Sequence, residues 1–169
     1  SHVKVFDGQS GVETTSFFAY SPTFTGGVYV ASGDVNGDGL DDVITGADAG
    51  AAPHVKVFDG KEGGELASFF AYDVNFTGGV RVAAADLTGD GHADIITGAG
   101  TGGGPHVKVF DGQSGAELES FFAYAPNFSG GVFVAATNIP EPASGTLLAM
   151  AFALRLLDWR RCRTPKTSS

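Results

Sequence analysis

The 169-residue chain has one cysteine, Cys162, one methionine and one tryptophan. A lone cysteine excludes an intrachain disulfide, so any bracing has to come from packing or from a bound ion. Basic side chains are scarce too, with 10 Lys and Arg against 19 Asp and Glu. The imbalance is steeper over residues 1–138, where 5 basic residues face 17 acidic ones, and it reverses over 139–169, where 5 face 2. An acidic body lacks the clustered cations that phosphate contacts need, which argues against nucleic acid as a partner and favours cations or simple solubility. What the sequence does have is glycine: 26 residues of it demand many tight turns or close backbone approaches, as in a loop-rich β protein.

Self-similarity sets the architecture. His-Val-Lys-Val-Phe-Asp-Gly stands at 2–8, 54–60 and 106–112, Ser-Phe-Phe-Ala-Tyr at 16–20, 68–72 and 120–124, and Gly-Gly-Val at 26–28, 78–80 and 130–132. Every shift is 52 residues, and no insertion breaks the register. Within one unit, four short runs rich in Val, Ile, Phe and Tyr read as strands: 79–85, 93–98, 106–110 and 117–124. The last two flank Asp111-Gly112-Gln113-Ser114-Gly115, a hairpin-type turn. The spacing leaves no room for a long helix. A period near 50 residues with four strands per unit predicts an all-β fold, a partial β-propeller of four-stranded blades. Near-continuous apolar runs fit blades buried on both faces, and Ala83 to Ala85 suit a crowded inner strand. About two and two-thirds units are present, so the expectation is a segment of a longer propeller. The same reading leaves any signal peptide outside this chain.

Chemistry concentrates in two acidic loops between the first and second strands of a unit. Asp34-Val35-Asn36-Gly37-Asp38-Gly39-Leu40-Asp41-Asp42 is repeated as Asp86-Leu87-Thr88-Gly89-Asp90-Gly91-His92-Ala93-Asp94. Oxygen-bearing side chains fall at positions 1, 3, 5 and 9: Asp34, Asn36, Asp38 and Asp42, then Asp86, Thr88, Asp90 and Asp94. Calcium takes six to eight hard oxygens, and alternate residues of a tight loop can aim theirs at one centre. Leu40 and His92, at position 7, would each contribute a backbone carbonyl, which leaves the identity of that side chain nearly free. Two Ca2+ sites are the expectation, the second weaker because Thr88 replaces Asn36. An EF-hand loop begins the same way but needs a bidentate Glu at position 12, and Thr45 or Thr97 stands there. The alternative is a solvated turn whose acids cap their own backbone. Convergence of three carboxylates without a cation is disfavoured, each pair costing about 4 kcal/mol at 4 Å and an effective dielectric near 20.

The nine-residue loop, set between strands of a repeated unit, resembles the FG-GAP repeats of integrin α-subunit propellers and of many secreted bacterial proteins. The Gly-Ala-x-x-Gly-x-x-Pro runs at 46–53 and 98–105 belong to the same pattern. The resemblance covers residues 1–138. It implies a calcium-binding propeller segment, secreted or at the cell surface, for adhesion or matrix contact with an extracellular protein or polysaccharide. The alternative is an accessory propeller of a secreted hydrolase whose catalytic portion lies elsewhere.

Other repeated residues read as structural. His2, His54 and His106 share one position with no second ligand type beside them, and the Phe pairs 17–18, 69–70 and 121–122 read as packing between units. No nucleophile–base pair recurs, so the expectation is a non-enzymatic protein.

From Ile139 the composition changes. Pro140-Glu141-Pro142 precedes an apolar run, 146–157, and then a basic cluster that includes Arg160, Arg161 and Arg163. This order is similar to a PEP-CTERM sorting signal. That resemblance implies a short C-terminal helix, transient membrane contact through the tail and processing by an exosortase-like enzyme. Basic residues beyond an apolar helix hold that end on the cytoplasmic side, although the run is shorter than the about 20 residues that span a bilayer. The expected domains are therefore 1–138 for the blades and 139–169 for the sorting tail.

Overall fold

In the computed structural model the chain divides into two units, residues 1–138 and 139–169, and the structure describes residues 1–137. The expected C-terminal helix and sorting signal lie outside the described residues.

Residues 1–137 form ten strands and, among the described residues, no helix. They are β1 (His2–Phe6), β2 (Glu13–Phe18), β3 (Val28–Gly33), β4 (Asp42–Ala47), β5 (His54–Phe58), β6 (Glu65–Phe70), β7 (Val80–Ala85), β8 (Asp94–Ala99), β9 (His106–Phe110) and β10 (Glu117–Phe122). All pairings are antiparallel and join chain neighbours, giving a two-stranded sheet I (β1-β2), a four-stranded sheet II (β3-β4-β5-β6) and a four-stranded sheet III (β7-β8-β9-β10). The four strands expected per unit are all present, with ends within a residue or two of those read from the sequence. Each third–fourth hairpin carries a register shift at the same place, after Val5, Val57 and Val109, beside the Asp-Gly turn.

The strands are apolar on both sides because they are covered on both sides. All six residues of β8 are buried, as are five of the six in β4. Ile44, Val55, Val57, Val80, Ile95 and Phe110 form the core between sheets II and III, each worth roughly 1.5–3 kcal/mol on burial. A smaller cluster of Val3, Ala19 and Phe58 joins sheets I and II. Val132 is buried with Ala83, Ile96, Val107 and Val109 on the other face of sheet III.

Two devices set the spacing between consecutive sheets. Gly46 in β4 lies beneath the start of β7, where a Cβ would run into the Val80 carbonyl oxygen; at Gly98 in β8 a Cβ would stand 2.7 Å from the Val132 carbonyl oxygen. Only glycine admits a backbone this close. Tyrosine supplies the second device. The Tyr20 hydroxyl, at the end of sheet I, donates to the His54 carbonyl of sheet II at 2.7 Å, and Tyr72 repeats the bond to His106 of sheet III at 2.9 Å. Burial, only partly offset by hydrogen bonds from Thr45 and Thr97, pushes both hydroxyls up to about 12.

The phenylalanine pairs split their roles. In the first two pairs the first member packs between sheets, Phe17 on Phe58 at 4.7 Å and Phe69 on Phe110 at 4.9 Å, whereas Phe121, expected to pack likewise, is 49% exposed. The second is about half exposed and lies against the histidine of its own hairpin: Phe18 on His2, Phe70 on His54, Phe122 on His106, all within 4.8 Å. Each histidine also bonds a serine across the hairpin, Ser16, Ser68 or Ser120, at 2.8–2.9 Å. Burial, with a smaller repulsion from Lys56 and Lys108, holds the His54 and His106 imidazoles below their ordinary value.

Candidate cation-binding loops

Loop A (34–41) joins β3 to β4, and loop B (86–93) joins β7 to β8. Each turns through two glycines at positive φ, Gly37 (77°) and Gly39 (87°) in one, Gly89 (77°) and Gly91 (89°) in the other. That conformation is strained for a side-chain-bearing residue, which is why glycine alternates with the oxygen-bearing positions.

Position 1 organises the turn. Asp34 Oδ1 accepts from the Gly37 and Asp38 amides at 2.7 and 3.0 Å, and its Oδ2 accepts from Gly39 at 2.8 Å. Asp86 does the same with Gly89 at 2.7 Å and Gly91 at 3.0 Å. Partial desolvation of Asp86 works against ionisation, but the amides of Gly89, Gly91 and Asp90 and the Thr88 hydroxyl outweigh it and hold the carboxyl below the usual range. Asn36 Oδ1 accepts from Asp38 at 2.9 Å, while Asp38 and Asp90 accept from the position-7 amides of Leu40 and His92, both at 2.9 Å.

Position 9 anchors the loop to its sheet. Asp42 and Asp94 are 1% and 0% exposed. Asp42 Oδ2 accepts from Val35 at 2.9 Å and Asn36 at 3.3 Å, and its Oδ1 accepts from Gly60 at 3.0 Å, in the β5–β6 turn. Asp94 repeats this with Leu87 at 2.8 Å, Thr88 at 3.1 Å and Gly112 at 3.3 Å. A buried carboxylate with three amide donors is satisfied without a cationic side chain.

The donor set suits a hard cation: every candidate ligand atom is oxygen, and the charge is uncompensated by side chains. The three ion pairs among the described residues, Lys4–Glu13, Lys56–Glu65 and Lys108–Glu117 at 2.5–2.7 Å, sit on the hairpins and none reaches a loop. Asp38 and Asp90 keep acceptor capacity beyond one amide each. Among the described residues, however, no three His, Cys, Asp or Glu side chains converge into a group that would hold an ion as they stand. The fit therefore rests on donor chemistry and charge.

The two position-7 side chains differ in surroundings: Leu40 is 50% exposed, whereas the His92 ring is held between loop A and the β9–β10 turn. The His92 Nδ1–H donates to the Val35 carbonyl of loop A at 3.0 Å, and the Gln113 amide donates to His92 Nε2 at 3.1 Å. A carbonyl can only accept, so the ring proton of this contact sits on Nδ1. Asp59, also unremarked in the sequence, accepts from Asn36 Nδ2 at 3.4 Å. Beside the loops, a cavity of about 440 Å3 between sheets II and III is lined by Asn36, Phe69, His92, Asp111 and Gln113. Its counterpart between sheets I and II, about 310 Å3, is lined by Phe17, Asp41, Phe58, Asp59 and Lys61.

No solved structure matches the chain. The family model described as FG-GAP-like repeat matches residues 34–97, from the first residue of loop A into β8, and this stretch is similar to FG-GAP-like repeats.

Proposed function

We propose that residues 1–138 are a calcium-stabilised propeller segment that acts outside the cytoplasm as a non-enzymatic adhesion or matrix-contact module. The observation that carries the reading is the pair of nine-residue loops, uncompensated in charge and lined by oxygen, at equivalent places in consecutive sheets. FG-GAP repeat sequence is consistent with a surface or adhesion-type domain. In this reading Asp34, Asn36, Asp38 and Asp42 hold one ion with the Leu40 carbonyl, and Asp86, Thr88, Asp90 and Asp94 hold the other with the His92 carbonyl. Bound calcium would supply the positive charge that each loop's own residues lack. The partner is an extracellular protein or polysaccharide. The tail, through Pro140, Glu141, Pro142 and the Arg160, Arg161 and Arg163 cluster, is the element processed by an exosortase-like enzyme during export.

The test is thermal melting of the protein during calcium titration, with magnesium as control. For a dissociation constant of about 10⁻³ M, about 10 mM calcium adds roughly 1.4 kcal/mol per site, because the ion binds the folded state alone. That corresponds to a rise of several degrees. Loop B, with Thr88, is the weaker site. A melting temperature unmoved by calcium at that concentration overturns the reading.

A further inference from the structure

We propose that His92 couples the two loops, so that a cation in loop B preorganises loop A; the inference rests on the calcium reading above. Three contacts converge on the start of loop A from positions 7 and 8 of loop B. The His92 Nδ1–H holds the Val35 carbonyl at 3.0 Å, and the Ala93 amide donates to the Asp34 carbonyl at 2.7 Å. The imidazole lies directly over Gly37, where a Cβ would stand 2.5 Å from His92 Cε1. Residues 34, 35 and 37 thus have their backbone positions set by the neighbouring loop.

The geometry makes His92 a two-ended link. Its backbone belongs to loop B, where the amide is already fixed by Asp90 at 2.9 Å and the carbonyl is the candidate ligand. Its ring belongs to loop A and is kept in orientation by Gln113, at 3.1 Å. Fixing the backbone from one end restrains the ring, which restrains Val35 and the turn at Gly37, next to Asp34 and Asn36. Ordering paid for by the first ion is then not required of the second. Leu40, the residue at the same position of loop A, has an exposed apolar side chain with no such donor. Coupling between sites is reciprocal, so loop A also favours binding in loop B.

The test is a double-mutant cycle on the full chain, read by the amide resonances of Gly37 and Gly39 for loop A and of Gly89 and Gly91 for loop B during calcium titration. Asp38→Asn weakens loop A, the site that fills first, and His92→Leu gives loop B the residue that loop A carries at that position. His92 is only half-buried, and retained dispersion of the β4 and β8 amides checks that the variant is folded. In the wild-type background, Asp38→Asn raises the calcium midpoint of loop B about fivefold or more, the lower range of coupling between linked sites. In the His92→Leu background the same change moves it less than about twofold. The Ala93–Asp34 bond remains in both backgrounds. An equal factor in the two backgrounds, with both loops titrating, overturns the coupling alone. Glycine amides that do not move with calcium in the wild-type chain overturn the calcium reading and the coupling together.

Discussion

The Arg81 guanidinium stands 4.0 Å from the centre of the Phe133 ring, a stack between one position of the repeat in two consecutive units. The residue at that position one unit earlier, Tyr29, is 5.7 Å from the guanidinium and meets the Phe133 ring edge-on at 6.4 Å. Arg81 Nη1 also donates to the Ala99 and Val132 carbonyls at 3.2 and 3.3 Å, which ties β8 to the segment that follows β10.

Arg81→Leu is therefore expected to destabilise residues 1–137 by about 1–2 kcal/mol, since it removes two hydrogen bonds and a cation–π contact while keeping apolar bulk. Arg81→Lys should recover only part of this, because a compact ammonium cannot stack on the Phe133 ring as a planar guanidinium does. Urea unfolding followed by far-ultraviolet circular dichroism measures both. A leucine variant as stable as wild type would show that the stack contributes nothing.

Alkaline pH should weaken the clamps between sheets. The Tyr20 and Tyr72 hydroxyls are raised from 10.0 to about 12 by burial, so between those values the folded state holds protons that the unfolded chain has released. Stability is full below pH 10 and falls as pH rises toward 12, by roughly 2 kcal/mol per tyrosine before any allowance for partial exposure. The double variant Tyr20→Phe, Tyr72→Phe should lose most of this slope. Urea midpoints from pH 8 to pH 12 decide the matter, and an identical slope in variant and wild type would exclude the tyrosines as its source.

Asp94→Asn should cost about 2–3 kcal/mol in the presence of a chelator, before any cation is involved. The carboxylate is fully buried and serves Leu87, Thr88 and Gly112. An amide keeps one acceptor oxygen and turns an NH2 group toward the remaining backbone donors. Chemical unfolding of the metal-free variant checks this, and a loss under about 0.5 kcal/mol would mean that the anchor is dispensable.

The strands were legible because their signals are local. Val80 to Ala85 and His106 to Phe110 show their apolar runs, and the Asp111 to Gly115 turn separates the last two strands wherever the unit lies in space. The candidate loops were legible as donor patterns for the same reason. The role of the His92 ring was not, because its partner is 57 residues away and depends on how far one sheet is offset from the next, which a period does not specify. Arg81 was missed likewise: Tyr29, Arg81 and Phe133 share a register position but no chemistry that would mark it. The partial burial of Phe69 and the exposure of Phe70 follow from the alternation of a strand once one face is known. The sequence shows the alternation but not which face is covered.

The crossing of β7 over Gly46 has a mechanical consequence. There the distance between two sheets is set by main chain against main chain, with no side chain that a larger or smaller one could replace. Trimming Ile44 or Val57 cannot draw the sheets together at that point, so a lost methyl leaves its full void behind. Such substitutions belong at the costly end of the roughly 0.5–1.5 kcal/mol spanned by Ile→Val changes.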